Sequence, residues 1–172
     1  VYTKIVAVAK VGDTEYVNID EAIEKWVNGS NTLTLLANVT LSDVVKIKST
    51  EHHILNLGTY TLTASEGKNA FEIIACGTGD AEQYAITINA DGSNPGGINA
   101  GSKAIVYYDY SKGTAAGKND RPIIKINGGV FNASTASFIW GTTVAGIHFK
   151  GGSAARQAAT LNITGGEFNC SI

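Results

Sequence analysis

Apolar residues along this chain recur in short runs bounded by Gly, Asn and Asp, and the runs are rich in Thr, Val, Ile and Tyr. That pattern predicts strands at 5–8, 15–17, 32–36, 44–47, 54–57, 60–62, 70–74, 84–88, 104–108, 123–126 and 161–163. One segment departs from it. Ile19, Ala22, Ile23, Trp26 and Val27 fall at i, i+3, i+4, i+7 and i+8, the stripe of an amphipathic helix over 19–28. Asn18 and Glu21 fit a capping box in which the Asn18 side chain accepts from the Glu21 amide and Glu21 reaches back. Gly29 is placed to end the helix in a left-handed conformation. A helix this short is marginal alone in water, so it is expected to lie on an apolar surface. No second helical pattern falls between strands, which excludes a doubly wound α/β fold.

An internal echo bears on the architecture. Ile126-Asn127-Gly128-Gly129-Val130-Phe131-Asn132 returns as Ile163-Thr164-Gly165-Gly166-Glu167-Phe168-Asn169, 37 residues later, with a looser version at Leu57-Gly58-Thr59-Tyr60-Thr61. The unit reads as strand, glycine turn, then a short strand with one inward aromatic. Self-similarity at such a period, without helices, favours a β-solenoid whose units stack on one another. An antiparallel β-sandwich with glycine hairpins is the competing arrangement.

The run Val8-Ala9-Lys10-Val11-Gly12-Asp13-Thr14-Glu15-Tyr16, followed by Ile19-Asp20-Glu21-Ala22-Ile23 and by Asn31-Thr32-Leu33-Thr34-Leu35-Leu36-Ala37-Asn38-Val39-Thr40-Leu41, resembles the N-terminal cap of pectin-lyase-like parallel β-helix proteins. Caps of this kind are frequent in secreted and surface proteins of gut bacteria. Ile54-Leu55-Asn56-Leu57-Gly58-Thr59-Tyr60-Thr61-Leu62 is similar to that family's first full coil. The resemblance implies an all-β fold: a right-handed single-stranded parallel β-helix, a β-solenoid with a short N-terminal capping α-helix. It implies one domain over 1–172, with the cap at about 1–30 and stacked coils from 31 to 172.

Composition narrows the function classes. The 172 residues are 44% apolar and only 16% charged, below the roughly 25% usual for globular chains. This argues for a sizeable core and against disorder. No unbroken apolar run exceeds five residues, as at 104–108, so no helix is expected to insert in a membrane. A net charge of −2 gives no basic field for nucleic acid. Methionine is absent, and the chain reads as an excised piece of something longer. Cys76 and Cys170 lie far apart with no metal-binding spacing, and read as small core residues that a disulfide can join only if the fold brings them together.

Candidate chemistry is sparse. The aspartates Asp13, Asp20, Asp43, Asp80, Asp91, Asp109 and Asp120 are scattered. Carboxylate catalysis and calcium both need acidic groups to converge. The pair Asp120 and Arg121, and Arg156, read as solvated. His52 and His53, being adjacent, point to opposite faces of a strand and chelate poorly; His148 is expected outward. Asn28, Asn38, Asn132, Asn162 and Asn169 each begin an Asn-x-Ser/Thr triplet. Residues 1–86 carry six basic and eleven acidic side chains and residues 87–172 seven and four, and three polar insertions are expected at 91–102, 109–121 and 150–159. Alternation puts Tyr107 and Tyr108 on opposite faces and gives Tyr108 the parity of the polar-flanked Tyr110; with Trp140 these form the candidate ligand-binding aromatics.

The sequence thus predicts no enzyme, no metal and no cofactor, but a non-catalytic structural or recognition module of a secreted or cell-surface protein, with a polysaccharide or host-surface glycan as partner. The alternatives are a polysaccharide lyase or glycosidase whose active residues lie outside this stretch, and a phage tail-spike or fibre segment, which would be trimeric and virion-borne.

Overall fold

The computed structural model describes residues 6–29, 32–76, 82–109, 121–133, 147–150 and 159–170, without the side chains at 109 and 148–150. Two short strands, β1 (Ala9–Val11) and β2 (Thr14–Tyr16), precede the helix α1 (Ile19–Gly29). Fourteen strands follow: β3 (Thr32–Leu35), β4 (Val39–Thr40), β5 (Val45–Lys48), β6 (His53–Asn56), β7 (Thr61–Thr63), β8 (Phe71–Ile74), β9 (Gln83–Asn89), β10 (Gly97–Asn99), β11 (Val106–Asp109), β12 (Pro122–Ile126), β13 (Val130–Asn132), β14 (Ile147–Lys150), β15 (Thr160–Ile163) and β16 (Glu167–Asn169). They form three separate sheets, in the orders β15-β12-β9-β6-β3-β1-β2, β16-β13-β10-β7-β4 and β14-β11-β8-β5.

The expectation of an all-β, right-handed single-stranded parallel β-helix is corrected here. The largest sheet is mixed: β1 runs antiparallel to both β2 and β3. The other strand pairs of the three sheets are parallel. The arrangement is therefore three separate sheets, one mixed, with one short helix. The reversal has a local cause. Gly12, at φ 58°, closes a two-residue turn with Asp13 between β1 and β2, and a connection that short can only join antiparallel strands. Apolar runs report that strands exist, not which way they run.

In-register pairing stacks like on like. One row of the mixed sheet is Leu33, Leu55, Ile88, Ile126 and Ile163. The second sheet contributes Val39, Leu62, Ile98, Phe131 and Phe168. The third contributes Val45, Phe71 and Val106 beside Ile47, Ile73 and Tyr108. These rows supply much of the buried core, and exposure rises at the end of the mixed sheet, where Ile163 in β15 is 39% exposed. The 37-residue echo is this register: Phe131 stacks on Phe168 with ring centroids 4.8 Å apart.

A polar ladder crosses the mixed sheet between the apolar rows. Asn56 Nδ2 donates to Thr34 Oγ1 at 3.4 Å, Asn89 Nδ2 to Asn56 Oδ1 at 2.8 Å, and Asn127 Nδ2 to Asn89 Oδ1 at 2.7 Å. Thr164 Oγ1 closes it on Asn127 Oδ1 at 2.9 Å. A slip of one residue would break every rung and turn the apolar rows outward.

The helix lies where the stripe predicts, burying Ile19, Ala22 and Trp26 with Ile23 and Val27 half-buried, against β1, β2, β3 and β5. Its cap differs from the expected box. Asn18 Oδ1 accepts from the amide of Asp20 at 2.8 Å rather than from Glu21, a capping bond to the second helical residue. Gly29 closes the helix without a positive φ.

The insertion expected at 91–102 is also corrected, because it holds β10, which joins β7 to β13 in parallel and buries Ile98. Glycine is required there by proximity. A Cβ on Gly96 would meet the Tyr60 carbonyl oxygen and one on Gly97 the Val130 carbonyl oxygen. Gly97→Ala should therefore lower stability by about 1–3 kcal/mol, whereas Gly29→Ala, which meets open space at ordinary φ, should change it by less than about 0.5 kcal/mol. Urea unfolding of the two variants beside wild type measures both.

Candidate functional site

The aromatics singled out from the sequence do not converge. Tyr108, expected outward, is 0% exposed: its register partner Ile73 and that residue's partner Ile47 both point inward, and Tyr108 continues their row. Tyr107, in the row of Glu72 and Lys46, is the half-buried one. The polar flanks of Tyr110 were therefore a poor guide to parity. Tyr110 and Trp140 lie outside the described residues, as do Asp120 and Arg156, and the side chain of His148 is not described.

A different aromatic reaches the surface. Tyr84 is 41% exposed. Simple alternation from the buried Ile88 and Ile86 would point it inward. A β-bulge prevents this: β12 pairs Ile123 with Tyr84 but Ile124 with Ile86, so Ala85 is an extra residue in β9. Ala85 and Ile86 are both buried, and the parity reversal turns Tyr84 out. Re-aiming a side chain is the usual consequence of a bulge. No pattern of residue types announces it.

His52 stands beside Tyr84, with ring centroids 5.3 Å apart and planes tilted by 34°. Its Nε2 lies 3.0 Å from the Thr87 hydroxyl, within hydrogen-bond distance. Glu82 flanks the pair and gathers two further strands, accepting from Arg121 Nη2 at 2.9 Å and from the Thr160 hydroxyl at 3.3 Å. The patch thus sets two rings near a carboxylate and a guanidinium that immediately precede β9 and β12, and a hydroxyl on β15. Arg121 is an ion-pair partner here, half-exposed and held by Glu82.

His52 also lines one side of a cleft of about 290 Å³, together with Trp26, Val27, Asn28, Gly29, Glu51 and His53. As the sequence predicts, the two histidines face opposite ways: His52 is exposed and His53 is 4% exposed. His53 heads an inward row whose next members are Ile86, Ile124 and Leu161. Trp26 meets it edge-on at 5.2 Å and meets Phe71 edge-on at 6.2 Å. Glu51 Oε2 lies 3.6 Å from His53 Nε2, and Glu51 Oε1 accepts from Lys48 Nζ at 2.8 Å. That bond holds the exposed Lys48 ammonium above its usual pKa.

The cysteines are both free. Cys76 Sγ lies 3.2 Å from the Thr50 hydroxyl and 3.4 Å from that of Ser49. Burial pushes the Cys170 thiol pKa up, which leaves it a poor nucleophile. Among the described residues no three His, Cys, Asp or Glu side chains gather as a metal ion would need, and no helix is long and apolar enough to cross a membrane. The patch offers a flat apolar face for stacking, with hydrogen-bonding groups beside it.

No protein-family model, curated protein or solved structure matches the chain, so no match identifies a pectin-lyase-like domain.

The site's parts should separate in their effect on stability. Trp26→Ala removes a fully buried ring that joins helix to sheets and should cost about 3–5 kcal/mol. Tyr84→Ala removes an exposed one and should stay within about 0.5 kcal/mol. Equilibrium unfolding in urea reads both.

Proposed function

We propose that this chain is a non-catalytic recognition module of a secreted or cell-surface protein, and that it binds glycans on the Tyr84–His52 platform. The observation that carries the reading is the bulge at Ala85, which lifts Tyr84 out of an otherwise apolar row and sets it beside His52. Leaving a large ring 41% exposed forgoes burial that the following positions Ala85, Ile86, Thr87 and Ile88 all take. Rigid rings lose little conformational entropy on binding and offer a flat apolar face, the complement of the C–H face of a sugar. The Arg121–Glu82 pair and Thr160 supply hydrogen-bonding groups that can meet hydroxyls at the rim. Tyr84 and Thr160 sit on paired strands and His52, Glu82 and Arg121 immediately before one, which limits how far the groups can move.

A glycan array probed with labelled wild type, Tyr84→Ala and His52→Ala tests the reading. Wild type should retain at least one glycan class. Tyr84→Ala should weaken that binding by about tenfold or more, the worth of a stacked ring together with its buried area. His52→Ala should weaken it less, and the thermal midpoints should stay within a few degrees of wild type. Absence of binding by wild type, or binding indifferent to Tyr84, contradicts the reading.

A further inference from the structure

An asparagine followed by glycine can lose its side-chain amide to attack by the next main-chain nitrogen, because a neighbour without a Cβ leaves that nitrogen accessible. The chain has two such steps, Asn28-Gly29 and Asn127-Gly128. Both asparagines are exposed, but their surroundings differ. Gly29 is the last residue of α1, where the helical pattern commits its amide to the carbonyl four residues back. Asn28 Nδ2 donates to the Glu24 carbonyl at 2.9 Å, which draws its side chain back along the helix. Gly128 lies between β12 and β13, in neither a helix nor a strand. The Thr164 hydroxyl donates to Asn127 Oδ1 at 2.9 Å. A donor on that oxygen stabilises the charge that develops there when a nucleophile adds to Cγ.

We propose that Asn127 is a self-modification site, converted to aspartate by its own main chain and water, and that the polar ladder reverses to hold the product. The Gly128 nitrogen gives its proton to solvent and adds to Asn127 Cγ. The Cγ–Nδ2 bond breaks, and Nδ2 takes up a proton and leaves as ammonia. Water then opens the succinimide at Cγ, which restores the peptide bond and leaves an aspartate. Opening at the main-chain carbonyl instead would lengthen the backbone by one carbon between β12 and β13, against their fixed register on β9 and β10. In the amide form each rung donates toward Thr34: Asn127 to Asn89, Asn89 to Asn56, and Asn56 to the Thr34 hydroxyl. An ionised aspartate at 127 only accepts, so it would meet Asn89 Oδ1 acceptor to acceptor. Turning the Asn89 and Asn56 amides over removes the conflict. Asn89 then donates to residue 127 and Asn56 to Asn89. The Thr34 hydroxyl, able to accept or donate, gives its proton to Asn56 Oδ1. Thr164 keeps its bond to residue 127, so every rung stays made.

The test holds the full chain in warm, mildly alkaline buffer, with and without denaturing urea, and follows both sites by peptide mapping and mass spectrometry. In the folded chain residue 127 should lose its amide while Asn28 keeps its own; in urea the two should react at similar rates. Gly128→Ala should abolish the loss at 127 over the same period. A Cβ there meets the Ala90 carbonyl oxygen at 3.5 Å, an ordinary contact, at a φ that is not positive, so the variant should fold. Thr164→Val should slow the reaction; unchanged or faster loss removes Thr164 from it. An intact Asn127 in the folded chain, or equal loss at 28 and 127, overturns the modification site. Isoaspartate as the main product overturns the hold of the register on ring opening. The reversal is read separately, as a double-mutant cycle. Asn127→Asp alone should leave the thermal midpoint within a few degrees of wild type. With Thr34→Val, which removes the terminal donor, the same substitution should lower the midpoint by more than the two single changes sum to. Additive midpoints, or an Asn127→Asp variant that fails to fold, overturn the reversal, and the mapping of wild type still decides the site.

Discussion

The structure depends on in-register parallel pairing of every third strand from β3 onward. Because each strand repeats the parity of the strand beneath it, apolar side chains pile into continuous rows, and the same operation piles amides and hydroxyls into a ladder. The two reinforce one another. Moving a strand by one residue would expose a row of Leu and Ile and at the same time leave the half-buried Asn56 and Asn89 amides without partners. The glycine pairs at 128–129 and 165–166 serve the same constraint, since they let the chain turn between the mixed sheet and the second sheet at the same height in successive units.

A register this strict allows local exceptions only where something else supplies the pairing, and the candidate site is built from two of them. At the N-terminal end the parallel pattern gives way to the antiparallel β1–β2 ribbon and to α1, whose Trp26 reaches the buried His53 and Phe71. Along β9 the extra residue Ala85 reverses parity and presents Tyr84 to solvent. His52, one residue before the inward row that His53 heads, is next to both exceptions and connects them. Cleft and platform thus arise where the repeat is interrupted, while the uninterrupted rows hold their backbone still.

Much of the local structure was legible in the sequence. The stripe Ile19, Ala22, Ile23, Trp26 and Val27 marked the helix and its buried face, and the repeat of Ile126 to Asn132 at Ile163 to Asn169 coincides with strands that pair in register, β12 with β15 and β13 with β16. What was not legible is instructive in physical terms. Strand direction is set by connection length and pairing partner, so the antiparallel β1 escaped a reading based on resemblance and repeats. The strand β10 is three residues long and begins at a glycine, with Ile98 its one β-branched residue, and the close approach of Gly96 and Gly97 to Tyr60 and Val130 is a property of the neighbouring strands that its own run does not show. Tyr108 was misplaced because local polar neighbours were weighed above the register of Ile47 and Ile73. Tyr84 was passed over because a bulge is a property of two strands together and leaves no mark in one.

The central claim is that a bulge-presented ring beside His52 makes a carbohydrate platform on a register-locked scaffold. A crystal structure of the protein grown with a neutral tetrasaccharide tests it most directly. The account predicts one sugar ring stacked on Tyr84 and His52, with hydroxyls near Arg121, Glu82 or Thr160. A saccharide ordered on another surface, with the Tyr84 face bare, would contradict it.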